Sequence, residues 1–169
     1  MTKRLGIEQA IEIAMEGELT AHAFYAQAAA EIEDLAGRDL LGRLAAFEQH
    51  HYQKLADLSR ALRQEHRFIY YEGVNTLEHL SPLVGRGEAA GSLLEQYRDV
   101  PGILSQAIEN EKSAGLRYRL LAEETSDPDG QDMFRKLSAE EFLHQHVLED
   151  EFFSLSNKGV WGWSGMYGE

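Results

Sequence analysis

The sequence predicts an all-α protein, a four-helix bundle of two repeated antiparallel hairpins joined by a long crossover connection. Three observations predict it. Apolar residues recur three or four apart along two pairs of long segments. A constant offset of 93 carries Glu18, Tyr25, Glu48 and His51 onto Glu111, Tyr118, Glu141 and His144. The same offset carries Ala14 to Ala107, Asp34 to Asp127, Gly37 to Gly130, Leu44 to Leu137 and Leu55 to Leu148, so it spans two helices and the turn between them.

The first helix is expected over 7–32, where Ile11, Met15, Glu18, His22, Tyr25, Ala29 and Ile32 form one stripe and place Glu18 inside an apolar seam. Asp34 is the expected N-cap of the second helix, and its mate Asp127 precedes Pro128, an N-cap followed by proline at the first helical position. The second helix, 35–65, presents Leu41, Leu44, Glu48, His51, Leu55, Leu58 and Leu62 at bundle-seam spacing. The fourth repeats this as Phe134, Leu137, Glu141, His144, Leu148, Glu151 and Leu155. Glu151 stands where the first half has Leu58, a departure expected to mark an open end of the bundle.

Residues 67–100 make the connection, too long for a tight turn. Its chain must travel back along a bundle of roughly 40 Å if a twofold axis is to relate the hairpins. Phe68, Ile69, Tyr70 and Tyr71 are expected to anchor it, 88–97 is a candidate short helix, and Pro101 sits near the start of helix three. The bundle domain is thus 1–156. The tail 157–169, with Trp161, Trp163, Met166 and Tyr167 among four glycines, is expected to be a non-helical cap on an apolar groove of its own or a neighbouring subunit.

Composition narrows the chemistry. Sixteen basic against twenty-nine acidic residues give a net charge of −13, which repels nucleic acid and anionic membrane and favours cations. With no cysteine, disulfides, thiolate zinc sites, iron–sulfur clusters and thiol catalysis are excluded. The start of the chain has no apolar run of the signal-peptide kind, and no stretch is long enough to span a bilayer, so a cytoplasmic location is expected.

Each half offers one lone Glu and one Glu-x-x-His, and two halves give four carboxylates and two imidazoles, the set a helical bundle uses for two metal ions. Glu18 and Glu48 are centred on residue 33, and Glu111 and Glu141 on residue 126, beside the expected turns. Folding each hairpin therefore brings its lone Glu level with its Glu-x-x-His, whose two members share a helical face. A solvated face explains most acidic residues here. Four buried carboxylates at one level would instead destabilise the bundle unless cations neutralised them. Oxygen and nitrogen donors suit Fe, Mn or Zn.

Tyr25 and Tyr118, seven residues after the lone glutamates, are candidates for a hydrogen bond to a ligand carboxylate as well as for core packing. His22, one turn beyond Glu18, is a further candidate for contact with the site, although Gly115 stands at its repeat position. His50, His66, His79 and His146 fall off the seams or in the connection and read as surface residues. No nucleophilic triad or glycine-rich phosphate loop is present.

With those residues placed, the sequence resembles the ferritin-like di-iron superfamily, most closely its rubrerythrin-like branch. The resemblance covers about residues 5–155, through Glu18 to Tyr25, Glu48-x-x-His51, Glu111 to Tyr118 and Glu141-x-x-His144. It implies two iron ions, with Glu18 and Glu111 each binding mainly one, Glu48 and Glu141 bridging, and His51 and His144 each completing one. It also implies an oxidoreductase whose reduced site reacts with hydrogen peroxide or oxygen, or oxidises ferrous iron. Ile108 stands where rubrerythrins carry an extra Glu, and Glu109 is rotated away; the rubredoxin domain's cysteines are absent. An external donor such as a rubredoxin-like protein is then required. Bacterioferritin shares the six-ligand set, but Gln49 replaces its haem-binding Met. Iron storage in a shell and a purely structural metal are the alternative functions, and a homodimer is the expected assembly.

Overall fold

The computed structural model describes residues 5–73 and 100–162. Four helices run in chain order: α1 (Ile7–Glu31), α2 (Leu35–Glu65), α3 (Val100–Glu124) and α4 (Pro128–Lys158). They form a four-helix bundle in which α1 packs on α2 and α3 on α4 as antiparallel hairpins. Most of the expected connection, with its candidate helix at 88–97 and His79, lies outside the described residues, as do Trp163, Met166 and Tyr167. Among the described residues no helix is long and apolar enough to cross a membrane.

The repeat is visible in how the helices start and stop. Asp34 accepts from Gly37 N–H at 2.8 Å and Asp127 from Gly130 N–H at 2.7 Å, so both turns end in the same N-cap. Pro128 occupies the first position of α4, where no backbone donor is needed. At the far ends, the repeat mates His66 and Gly159 both adopt the left-handed conformation, with φ of 52° and 68°. Glycine takes that conformation at no steric cost; His66 does not.

Two apolar clusters occupy the two ends of the bundle. One joins Tyr25 and Ala28 of α1 and the C-cap Ile32 with Leu40, Leu41 and Leu44 of α2, Leu104 and Ala107 of α3, and Leu148 and Leu155 of α4. The other joins Ile11 and Ala14 with Leu55, Leu58, Tyr118, Leu121, Phe134 and Leu137. Each cluster thus pairs the turn end of one hairpin with the open end of the other, the arrangement of two hairpins related by a twofold axis. The layer between them holds the acidic seam residues.

Termini seal the turns reciprocally. Trp161, 4% exposed, lies against Gly37, where a side-chain carbon would come within 2.6 Å of its ring. Ile7 covers the mate Gly130 in the same way, at 2.3 Å. The expected cap is therefore present in Trp161, on a groove of its own chain. Its boundary differs: α4 continues through Asn157 and Lys158, with Asn157 Nδ2 donating to the Phe153 carbonyl at 2.9 Å. The open end expected at Glu151 is also corrected. Glu151 is buried, and its Oε2 accepts from Gly162 N–H at 2.9 Å, so the tail closes over the carboxylate. Of the four expected anchors, Tyr71 is buried and Phe68 partly so, while Ile69 is about one-third exposed and Tyr70 largely exposed.

Candidate metal centre

Glu18, Glu48, His51, Glu111, Glu141 and His144 are all 2% exposed or less. Their helices carry them to one level because each hairpin folds about a turn midway between its glutamates. Two groups result. Glu18, Glu48, His51 and Glu141 present ligand atoms all within 4.8 Å of one another, and so do Glu48, Glu111, Glu141 and His144. Glu48 and Glu141 belong to both groups, while Glu18 with His51 and Glu111 with His144 belong to one each.

Nδ1 of both imidazoles faces the carboxylates. His51 Nδ1 stands 3.6 Å from Glu18, 3.7 Å from Glu48 and 3.3 Å from Glu141. His144 Nδ1 stands 3.2 Å from Glu141, 3.5 Å from Glu111 and 3.9 Å from Glu48. Oε2 of Glu18, Oε1 of Glu48, Oε2 of Glu111, Oε1 of Glu141 and Nδ1 of His51 are buried without hydrogen-bond partners among the described residues. Buried acceptors without donors are costly, and here several converge on one space. That is the donor set two divalent ions would satisfy, so the residues fit the metal pair expected of them.

Without ions the charges lean on protons. Burial, followed by the neighbouring Glu141 charge, pushes Glu48 well above the carboxylate range and Glu111 up to about 7. Burial disfavours charged imidazoles, yet the Glu140 carboxylate that accepts from His51 and the Glu141 carboxylate beside it lift His51, and the Glu111 and Glu141 carboxylates facing His144 lift it to about 9. Burial would raise Glu141 too, but the His144 and His51 imidazoles beside it prevail and hold it below its ordinary range.

The tyrosines cross between hairpins. Tyr25 on α1 donates to Glu111 on α3, and Tyr118 on α3 donates to Glu18 on α1. Burial and then the Glu111 charge push the Tyr25 phenol well above its ordinary value, so it remains a donor. His22 is in neither ligand group: its Nδ1 bonds the Ala45 carbonyl of α2 at 2.8 Å. The repeat mates of that pair are also joined, with the donor exchanged, since Ser138 Oγ donates to the Gly115 carbonyl at 2.8 Å. His50, His66 and His146 are exposed.

Two buried residues around the site lie outside the repeat pattern. Glu140 of α4 accepts from His51 Nε2 at 2.8 Å and from the Tyr71 hydroxyl at 2.6 Å, both on Oε2. Burial raises the Tyr71 phenol, which therefore stays protonated. The signals available were the acidic pair at 140–141 and the aromatic run ending at Tyr71. A search for repeat mates passes over both, because the mate of Glu140 is Phe47.

Residues 1–59, which hold Glu18, Glu48 and His51, match the family model of rubrerythrin, a ferritin-like di-iron family. A hypothetical protein from Pyrococcus furiosus has a solved structure similar to this chain at a TM-score of 0.66 and 21% identity, covering 92% of this chain and 93% of that one. At that identity the likeness is one of fold. No curated protein matches this chain.

Proposed function

We propose that this chain is a rubrerythrin-like, non-haem di-iron oxidoreductase that reduces hydrogen peroxide or oxygen. One observation carries the reading: the buried ligands divide into two groups that share Glu48 and Glu141 and are each completed by one further Glu and one His. Iron is preferred to Mn or Zn because the first hairpin matches a di-iron family. A ferrous pair held by these residues would supply the two electrons that, with two protons, reduce peroxide to water.

The protein's own residues set the conditions for that chemistry. Apolar clusters on both sides of the ligand layer exclude bulk water and strengthen every electrostatic contact inside it. Tyr25 and Tyr118 hold Glu111 and Glu18 in place by donating to one oxygen of each. Glu48 and Glu111, which hold protons readily when no ion is bound, exchange them for metal.

Electrons come from outside, since the chain has no cysteine for a rubredoxin iron and no flavin or nicotinamide motif. A rubredoxin-like protein in the cytoplasm is the proposed donor. Exposed Leu19, Leu116 and Leu120 on α1 and α3 offer apolar surface for the proposed homodimer.

Stopped-flow mixing of the anaerobic diferrous protein tests the reading. About one equivalent of peroxide per two-iron site is consumed rapidly in a single turnover. Reaction then stops until a reductant is added, and a parallel experiment with oxygen identifies the preferred oxidant. Slow oxidation by both would overturn the enzyme reading in favour of a structural metal. A large closed shell by light scattering would favour storage.

A further inference from the structure

We propose that the two metal positions are unequal: the one completed by Glu18 and His51 takes its ion first and more tightly than the one completed by Glu111 and His144. The inference rests on the dinuclear reading above and concerns what stands behind each imidazole. Glu140 and Phe47 are repeat mates, one residue before Glu141 and Glu48 respectively, so the two halves differ at the position that reaches the opposite hairpin's histidine.

Behind His51 there is a carboxylate. Glu140, 7% exposed, reaches across from α4 and accepts the Nε2 hydrogen at 2.8 Å. Tyr71, from the segment after α2, donates to the same carboxylate oxygen at 2.6 Å. The imidazole hydrogen is thereby fixed on Nε2, the Nδ1 lone pair is left facing Glu18, Glu48 and Glu141, and the ring cannot rotate without breaking a buried bond. A carboxylate behind a ligand histidine also raises its basicity and adds negative charge near the ion.

Behind His144 there is a hydrocarbon ring. Phe47 lies with its centroid 5.2 Å from the imidazole at an interplanar angle of 53°, and His144 Nε2 is buried without a hydrogen-bond partner among the described residues. To offer Nδ1 to a metal, neutral His144 must keep its hydrogen on that unbonded nitrogen. The tautomer is unsupported, and a buried donor without an acceptor weakens the ligand that carries it. Glu140 and Tyr71 are thus positioning residues for one half of the centre, with no counterpart behind the other among the described residues.

The test is titration of the metal-free full chain with Co²⁺ alone, followed by visible absorption and by heat. Two successive one-equivalent steps are expected, the first tighter by about 10-fold or more. Glu140→Leu should weaken the first step by about 10–100-fold and leave the second in place, with Glu140→Gln, which keeps an acceptor oxygen, falling between. Tyr71→Phe should weaken the first step in the same direction. Phe47→Glu, giving His144 the missing acceptor, should tighten the second step and draw the two together. Two equal steps in the unaltered protein, or a first step unmoved by both Glu140→Leu and Tyr71→Phe, would overturn the inequality while leaving the dinuclear reading intact. Failure to bind Co²⁺ at all would overturn both.

Discussion

Tyr118 donates its hydroxyl hydrogen to Glu18, a carboxylate 100 residues away on the other hairpin, and Tyr25 returns the bond to Glu111. The pair ties α1 to α3, helices that otherwise touch little. Replacing Tyr118 by Phe leaves a buried carboxylate oxygen without its donor and is expected to cost about 1–3 kcal/mol. At about 2–4 °C per kcal/mol for a chain of this size, the metal-free thermal midpoint should fall by about 5 °C. Tyr25→Phe should behave alike, and an unchanged midpoint in both would remove the cross-hairpin bonds from the account.

The helices were legible because seam periodicity, N-caps and the repeat all pointed the same way. Leu35–Glu65 appears at its expected bounds and α1 within one residue of them. The clustering of six buried carboxylates and imidazoles was legible for the same reason, since a twofold repeat doubles a short motif. Glu140 and Tyr71 were not, because one has Phe47 as its mate and the other lies in a segment without periodicity. Glu151 misled: a charge on a seam suggested exposure, yet the backbone N–H of Gly162 satisfies it inside. Nor does periodicity say that Tyr25 and Tyr118 bond the opposite hairpin, which depends on how the two halves dock.

His66 ends α2 in the left-handed conformation that its mate Gly159 adopts at the end of α4. That conformation costs a non-glycine residue roughly 1–2 kcal/mol, part of which glycine loses again through its freer unfolded chain. His66→Gly should therefore raise stability by about 1 kcal/mol, seen as a midpoint higher by about 2–4 °C. His66 is exposed, so no packing is lost. A lower midpoint would contradict the assignment.

Gly37 and Trp161 form a second testable pair. A methyl group on Gly37 would meet the Trp161 ring, so Gly37→Ala should destabilise by about 1–3 kcal/mol. In a Trp161→Ala background the same change should become neutral or favourable by about 0.5–1 kcal/mol, since alanine is the better helix former. Equal costs in both backgrounds would show that the tail does not cover the turn.

The pH dependence of the metal-free chain follows from raised values. Glu111 moves from 4.5 to about 7 and His144 from 6.5 to about 9, so the folded chain binds both protons more tightly than the unfolded one. Their stabilisation is full below the unfolded values and lost as pH rises through the folded ones, a window from 4.5 to about 9. Glu48 acts in the same direction, and Glu141, held low, loses its contribution only in acid. The metal-free midpoint should fall by about 5 °C or more between pH 5 and 9, and bound metal should restore most of the loss at the upper end. A midpoint rising over that range would refute the burial of these groups.

The proposed dinuclear centre is tested most directly by metal content after iron loading and exhaustive desalting. The unaltered chain should retain about two ions. Glu18→Ala, touching one group, should retain about one, and Glu48→Ala with Glu141→Ala, removing both shared ligands, should retain almost none. One ion in the unaltered chain, or two in the double variant, would contradict a pair of metals held by shared carboxylates.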